Sequence, residues 1–140
     1  MNSNNETNRI NGTRGMKLIY LAGPYRAPTE WELVQNIRRA EALAIAVWQL
    51  GAACICPHKN TALLGGCCPD SVWLEGDLEM LRRCDAVICT DDWQRSEGAR
   101  NEVAEARRLE IPVFQTIAEL QSWLGSRASE KSPNPLGVAG

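Results

Sequence analysis

Four times between residues 17 and 124 a short apolar run gives way to a stretch with helical spacing of its apolar positions. Residues 17–22 (Lys-Leu-Ile-Tyr-Leu-Ala) form the first run and end at Gly23-Pro24, which reads as a buried strand followed by a turn. Thr29-Glu30-Trp31-Glu32 is a capping box, in which a threonine side chain takes a free helix N–H and a glutamate three residues on answers it. It opens a predicted helix over 30–50, with Leu33, Ile37, Ala40, Ala44 and Val47 as the packing stripe and Gly51 as the stop. A second strand is expected over 52–56. The stretch 57–72, which holds Gly65-Gly66-Cys67-Cys68-Pro69-Asp70, shows no clear period and reads as a long functional loop. A helix from 71 or 72 to 83 follows, with Leu74, Leu78 and Leu81 facing inward. Residues 85–90 give the third strand, 112–116 the fourth and 117–124 a last helix, with no internal repeat.

Strands alternating with helices favour a parallel sheet, because parallel neighbours need a crossover of helical length. The expected fold is α/β: a doubly wound, Rossmann- or flavodoxin-like parallel sheet of four to five strands in the order 2-1-3-4, with helices on both faces. Such sheets bind ligands at the carboxyl ends of their strands, beside the switch between strands 1 and 3. Gly23-Pro24-Tyr25-Arg26, His58 and Asp91-Asp92-Trp93 all fall there. Residues 1–15, polar and Asn-rich, read as a disordered leader, 16–125 as one domain, and 126–140, rich in Ser, Pro and Gly, as a disordered tail.

Composition narrows the function classes. A chain of 140 residues with a net charge of -2 and a pI near 5.5 is poorly suited to hold duplex nucleic acid by bulk electrostatics. No apolar stretch reaches the length of a membrane span, since the run over 40–48 is short and set among Arg38, Arg39 and Glu41. The leader lacks the apolar core of a secretory signal, so a cytoplasmic location is expected. Cys54, Cys56, Cys84 and Cys89 lie inside predicted elements and read as reduced, buried thiols. Cys54-Ile55-Cys56-Pro57-His58 raises the question of a metal. Its spacing matches no common zinc pattern and Cys67-Cys68 is a poor second ligand pair, so no metal is expected.

The strongest chemical signal is Ser96-Glu97-Gly98-Ala99-Arg100-Asn101-Glu102-Val103-Ala104-Glu105-Ala106. At about 100° per residue, Ala99, Val103, Ala106 and Leu109 share a buried helix face, and Glu102 falls inside the same arc. Glu97 and Glu105 point away with Arg100, Asn101, Arg107 and Arg108. A carboxylate on an apolar face is unfavourable unless it has partners or a task. Glu102 lies one turn in from a small-residue helix start that can hold an anion, and it reads as an active-site acid. A rim glutamate reaching solvent or an arginine is the plain alternative.

Ile19-Tyr20-Leu21-Ala22-Gly23-Pro24-Tyr25-Arg26, Asp77-Leu78-Glu79-Met80-Leu81 and the Ser96–Ala106 segment together resemble the nucleoside 2-deoxyribosyltransferase superfamily. Within it the chain is similar to the 2'-deoxynucleoside 5'-monophosphate N-hydrolases, and Pro57-His58-Lys59-Asn60-Thr61 resembles their phage and prophage relatives. The resemblance implies that Glu102 is a nucleophile forming a glycosyl-enzyme ester, that the Tyr20 hydroxyl orients it, and that Asp77 assists departure of the base. It implies a 5'-phosphate held by Ser96 and Gly98 together with Gly23 and Arg26 of the first loop. His58 falls near the base edge or caps the loop. Trp93 stacks on a base or packs in the protein, and Asp91 and Asp92 complete the candidate base and sugar contacts.

By the same resemblance no metal or organic cofactor is needed, and a homodimer or larger homo-oligomer is expected. Trp31 and Trp48 of the first long helix suit either such an interface or the core. The Ser-x-Gly form of the nucleophile motif, in place of the transferases' Gly-Thr form, favours a nucleoside monophosphate over a nucleoside and hydrolysis over transfer. Base exchange between deoxynucleosides and a non-catalytic nucleotide-binding or sensor module are the alternatives. A binder would not need Glu102 and Tyr20 together with Asp77, which favours catalysis.

Overall fold

The computed structural model describes residues 15–129. The expected leader and tail therefore lie outside the described residues, apart from Gly15 and the stretch 126–129. Four parallel strands, β1 (Leu18–Ala22), β2 (Ala53–Ile55), β3 (Ala86–Cys89) and β4 (Val113–Phe114), form one sheet in the order β2-β1-β3-β4. This is the expected order. β1 sits inside, with Tyr20 opposite Ile55 on one side and Val87 on the other. Asp85 fixes the start of that register by accepting the Leu18 N–H at 2.8 Å and donating its own N–H to the Leu18 carbonyl at 2.7 Å.

The helices are α1 (Glu30–Gln49), α2 (Pro57–Asn60), α3 (Asp70–Arg82), α4 (Glu97–Arg108) and α5 (Ile117–Ser129), with a 3-10 turn at Trp93–Arg95. Side chains alternate across a strand, so an interior strand apolar at every position feeds two cores. Ile19 and Leu21 meet Ala40, Ala44, Val47, Ala86, Ile88 and Leu120 on the α1/α5 face. Tyr20 and Ala22 meet Leu81, Val87, Trp93, Ala99, Val103 and Ala106 on the α3/α4 face. Thr29 caps α1 as expected, accepting the Glu32 N–H at 3.1 Å.

Several local expectations are corrected. The stretch 57–72 is not all loop: proline at the first position, where no N–H is needed, starts the single turn of α2, and α3 begins at Asp70. Leu74 is half exposed because α3 packs mainly through its C-terminal half, where Leu81 is fully buried. Leu109 caps α4 and lies partly exposed, so the buried face ends at Ala106. α5 runs to Ser129, past its expected end at 124. Among the described residues no helix is long and apolar enough to cross a membrane.

Gly23 is required where β1 ends. A Cβ there would lie 2.6 Å from Thr90 Cγ2 and 2.7 Å from Thr90 Oγ1, while the Thr90 N–H is already bonded to the Ala22 carbonyl at 3.0 Å. Gly23→Ala is expected to destabilise the domain by about 1–3 kcal/mol through this overpacking, read as a lower midpoint in urea with unchanged slope.

Candidate active site

β1 and α4 build the centre of the site together. The pleat that sends Tyr20 toward α4 places its ring fully inside the α3/α4 core with its hydroxyl at the far edge. There Tyr20 Oη donates a 2.7 Å hydrogen bond to Glu102 Oε2. Glu102 thus lies on the inner side of α4, as its angular position predicts. Burial pushes its carboxyl up to about 8; the Tyr20 bond pulls the other way and the Asp77 charge adds to the rise. Asp77, on α3, is partly buried and pushed up to about 6 by that burial. Tyr20 is raised first by burial and then by the charges of Glu102 and Asp77, and it stays a hydrogen-bond donor at any ordinary pH. The three residues singled out as catalytic therefore share one electrostatic environment. Two carboxyls placed this way in a partly desolvated site resist ionising together.

Beside Glu102 lies a cavity of about 50 Å³ lined also by Leu21, Tyr25, Pro57, His58 and Thr61. His58 is buried, its Nε2 2.8 Å from the Pro24 carbonyl and its ring edge-on to Tyr25, with centroids 5.7 Å apart. That contact requires the proton on Nε2, and burial keeps the imidazole's pKa low against the pull of the Pro24 and Gly23 carbonyls. His58 thus caps the first loop, and its Nδ1 is left without a partner. Among the described residues no three His, Cys, Asp or Glu side chains gather as a metal site, and all six cysteines are unbridged.

The helix start has a different character. Ser96 caps α4, its Oγ accepting the Ala99 N–H at 3.1 Å. Gly98 has open space where a Cβ would stand, 3.9 Å from Ser96 Oγ, so no packing demand calls for glycine there. Glycine in a helix costs about 1 kcal/mol relative to alanine, and what it offers here is room beside free N–H groups. Arg26 reaches Asp70 at 2.8 Å with both side chains about two-thirds exposed, a weak surface pair that a better anion can displace.

The loop after β3 is structural where contact with a base was expected. Trp93 is buried in the α3/α4 core and does not present a stacking face. Asp91 is exposed. Asp92 accepts from Thr90 Oγ1 at 2.8 Å and Arg95 Nε at 3.0 Å. Burial raises its pKa, but these bonds and the Arg39 charge hold it below the usual range. One residue was missed altogether: Asn36, buried on α1. Its Nδ2 donates to the Tyr25 carbonyl at 3.0 Å, and its Oδ1 accepts from Arg39 and Arg95. It clasps the first loop to the 3-10 turn. A polar residue between Ala40 and Leu43 on the apolar face of Leu33, Ile37, Ala40 and Leu43 is the same signal that singled out Glu102, and it was available in the sequence.

The fold is a doubly wound α/β sheet of a kind seen in a solved deoxyribosyltransferase. A solved 2-deoxyribosyltransferase from the psychrotolerant bacterium Bacillus psychrosaccharolyticus, described as a biocatalyst for nucleoside synthesis, has the same fold. It superposes with a TM-score of 0.51 at 22% identity over 69% of each chain. Residues 17–115 match the family described as a domain of unknown function, DUF4406, and the chain belongs to that family. Among curated proteins none matches the sequence.

The raised Glu102 has a measurable consequence. In the fold it holds its proton to about 8, against an ordinary value of 4.5, so stability falls as pH rises between those limits. Glu102→Gln keeps an acceptor for Tyr20 and is expected to stabilise the protein near pH 8 by on the order of 1 kcal/mol and to be neutral near pH 4, measured by thermal melts.

Proposed function

We propose that the protein hydrolyses the base–sugar bond of (deoxy)nucleoside 5'-monophosphates through a glycosyl ester on Glu102. The observation that carries this reading is the 2.7 Å bond from Tyr20 to Glu102 on the inner face of α4, with Asp77 close enough to raise both pKa values. Breaking an N-glycosidic bond builds positive charge at C1', and an oriented carboxylate stabilises it. One proton on the Glu102–Asp77 pair suffices for both roles. In the free protein that proton rests mainly on Glu102; in the reacting tautomer, favoured by the positive charge growing at C1', it sits on Asp77, and the ionised Glu102 oxygen not held by Tyr20 attacks C1'. The bonding pair leaves with the base nitrogen, which takes the Asp77 proton. Water then attacks C1', gives a proton to Asp77 and releases Glu102, so the configuration is retained.

The start of α4 supports a phosphate on the substrate. Ser96, the open space at Gly98 and an arginine held only by a surface pair make a cradle of the kind that anions occupy. A cavity of about 50 Å³ holds only one or two waters, so a nucleotide enters when the 61–69 segment moves outward. Base exchange onto a second base uses the same ester and differs only in the acceptor.

The deciding experiment measures free base released from ribo- and deoxyribonucleoside 5'-monophosphates and from nucleosides. Release from monophosphates is expected, falling about 10³-fold or more in Glu102→Gln. Release only with an added acceptor base would make the protein a transferase. Monophosphate binding by both proteins with no release would make it a binding module. The rate is expected to be bell-shaped in pH, rising as one proton leaves the carboxyl pair near 6 and falling as the second leaves near 8. Tyr20→Phe removes the bond that pulls Glu102 down, so it should lower kcat about tenfold and move the falling limb to higher pH.

A further inference from the structure

A second cavity, of about 220 Å³, is walled by α1, the first loop and the 3-10 turn, and the chemistry at Glu102 makes no use of it. Two guanidinium groups converge in its wall. Arg39 Nη2 and Arg95 Nη2 both donate to Oδ1 of the buried Asn36, Arg95 at 3.2 Å. A neutral amide oxygen is a weak counterpart for two cations. The one carboxylate between them, Asp92, lies 3.0 Å from Arg95 Nε and 3.8 Å from Arg39 Nε. Among the described residues Nη1 of each arginine has no protein partner. Each side chain is about half exposed, so those donors are open to a ligand. The two forks are thus held at one edge and unsatisfied at the other, which aims them without occupying them.

The cavity adjoins the candidate phosphate cradle along two walls. Ala27, which lines it, follows Arg26, and Arg95 immediately precedes Ser96. Consecutive Cα atoms are about 3.8 Å apart, so each wall passes directly from one site to the other. Asn36 ties the two together, since its Nδ2 donates to the Tyr25 carbonyl at 3.0 Å while its Oδ1 holds the arginines. A group bonded to a phosphate at the start of α4 therefore has a cationic space next to it.

We propose that this cavity receives a second phosphoryl group, so that a nucleoside 5'-diphosphate binds more tightly than the corresponding monophosphate. The inference rests on the reading of Ser96, Gly98 and Arg26 as the cradle of the 5'-phosphate. The phosphate next to the ribose lies at that cradle, and oxygens of the second accept from Nη1 of Arg39 and Arg95. Planar guanidinium forks suit phosphate oxygens in both geometry and charge. Glu32 also lines the cavity, its carboxylate accepting the Thr29 hydroxyl at 3.1 Å, and it repels a phosphate brought near it. The second phosphate therefore settles on the arginine side. Monophosphate and diphosphate differ only at this end of the ligand, so the bond broken at C1' is the same for both.

Titration calorimetry on the full chain tests it, with Glu102→Gln as the parent so that ligand is held without being turned over. The ligands are 5'-monophosphates and 5'-diphosphates of the same nucleosides, with inorganic phosphate and pyrophosphate beside them, all without magnesium. The diphosphate is expected to bind at least about tenfold more tightly than the monophosphate. Adding Arg39→Gln should shrink that preference to about threefold or less, and Arg95→Gln should do the same. Arg83→Gln removes one equally positive charge from an exposed position beyond α3 and should leave the preference intact. Equal affinities, a preference that survives Arg39→Gln in a folded protein, or one that Arg83→Gln also abolishes would overturn the proposal. Pyrophosphate held through Arg39 with no nucleotide bound would support the cavity and refute the nucleotide reading. A diphosphate preference without base release by the wild type would support the cavity and refute hydrolysis.

Discussion

A carboxyl group on the buried side of a helix is tolerated only with a partner, and here the partner is one hydroxyl carried up from the centre of the sheet. Tyr20 reaches Glu102 because β1 is an interior strand whose alternate residues face α4, and because Gly23 lets the end of β1 close against Thr90. Remove the hydroxyl and the carboxyl keeps its desolvation without the compensating bond. The electrostatics of the site and the packing of the domain are thus one arrangement. The same burial that fills the α3/α4 core raises the pKa of Glu102 and Asp77 toward neutrality, where acid and base roles are both open to them.

Around that fixed centre the structure divides labour between rigid and adjustable parts. Asn36 and His58 hold the first loop from two sides, one through the carbonyl of Tyr25 and the other through that of Pro24. Thr90, Asp92 and Arg95 hold the 3-10 turn, and Arg95 links it back to Asn36. Arg26 is different: its tie to Asp70 is a surface pair that solvent already weakens. The loops around Glu102 are tied down by several buried hydrogen bonds, whereas Arg26 is held by one exposed pair.

Much of this was legible in the residues. Strands alternating with helices pointed to a parallel sheet, and the angular place of Glu102 on the face of Ala99, Val103 and Ala106 pointed to an inward acid. What misled were cases where one pattern serves two environments. Trp93 follows a strand end at the expected ligand site, but the 3-10 turn folds it inward to fill the core. Leu74 fits the helical stripe of α3, but among the described residues it stays half exposed while Leu81, two turns on, is fully buried. Asn36 carried an angular signal but not its role: its partners are backbone carbonyls 10 and 11 residues earlier and an arginine 59 residues later, and spacing does not record such contacts.

The Tyr20–Glu102 bond joins residues 82 apart in the chain. Contacts of such separation form late, because the intervening segment must lose its freedom before they repay it. β1 emerges early in synthesis yet can pair with β3 only after residues 86–89 exist, and α4 comes later still. Until then Glu102 is an ordinary solvated carboxylate and Tyr20 an ordinary phenol. The hydrogen-bonded pair comes into being only with the closed sheet, so neither a nascent chain nor a partly unfolded one holds it.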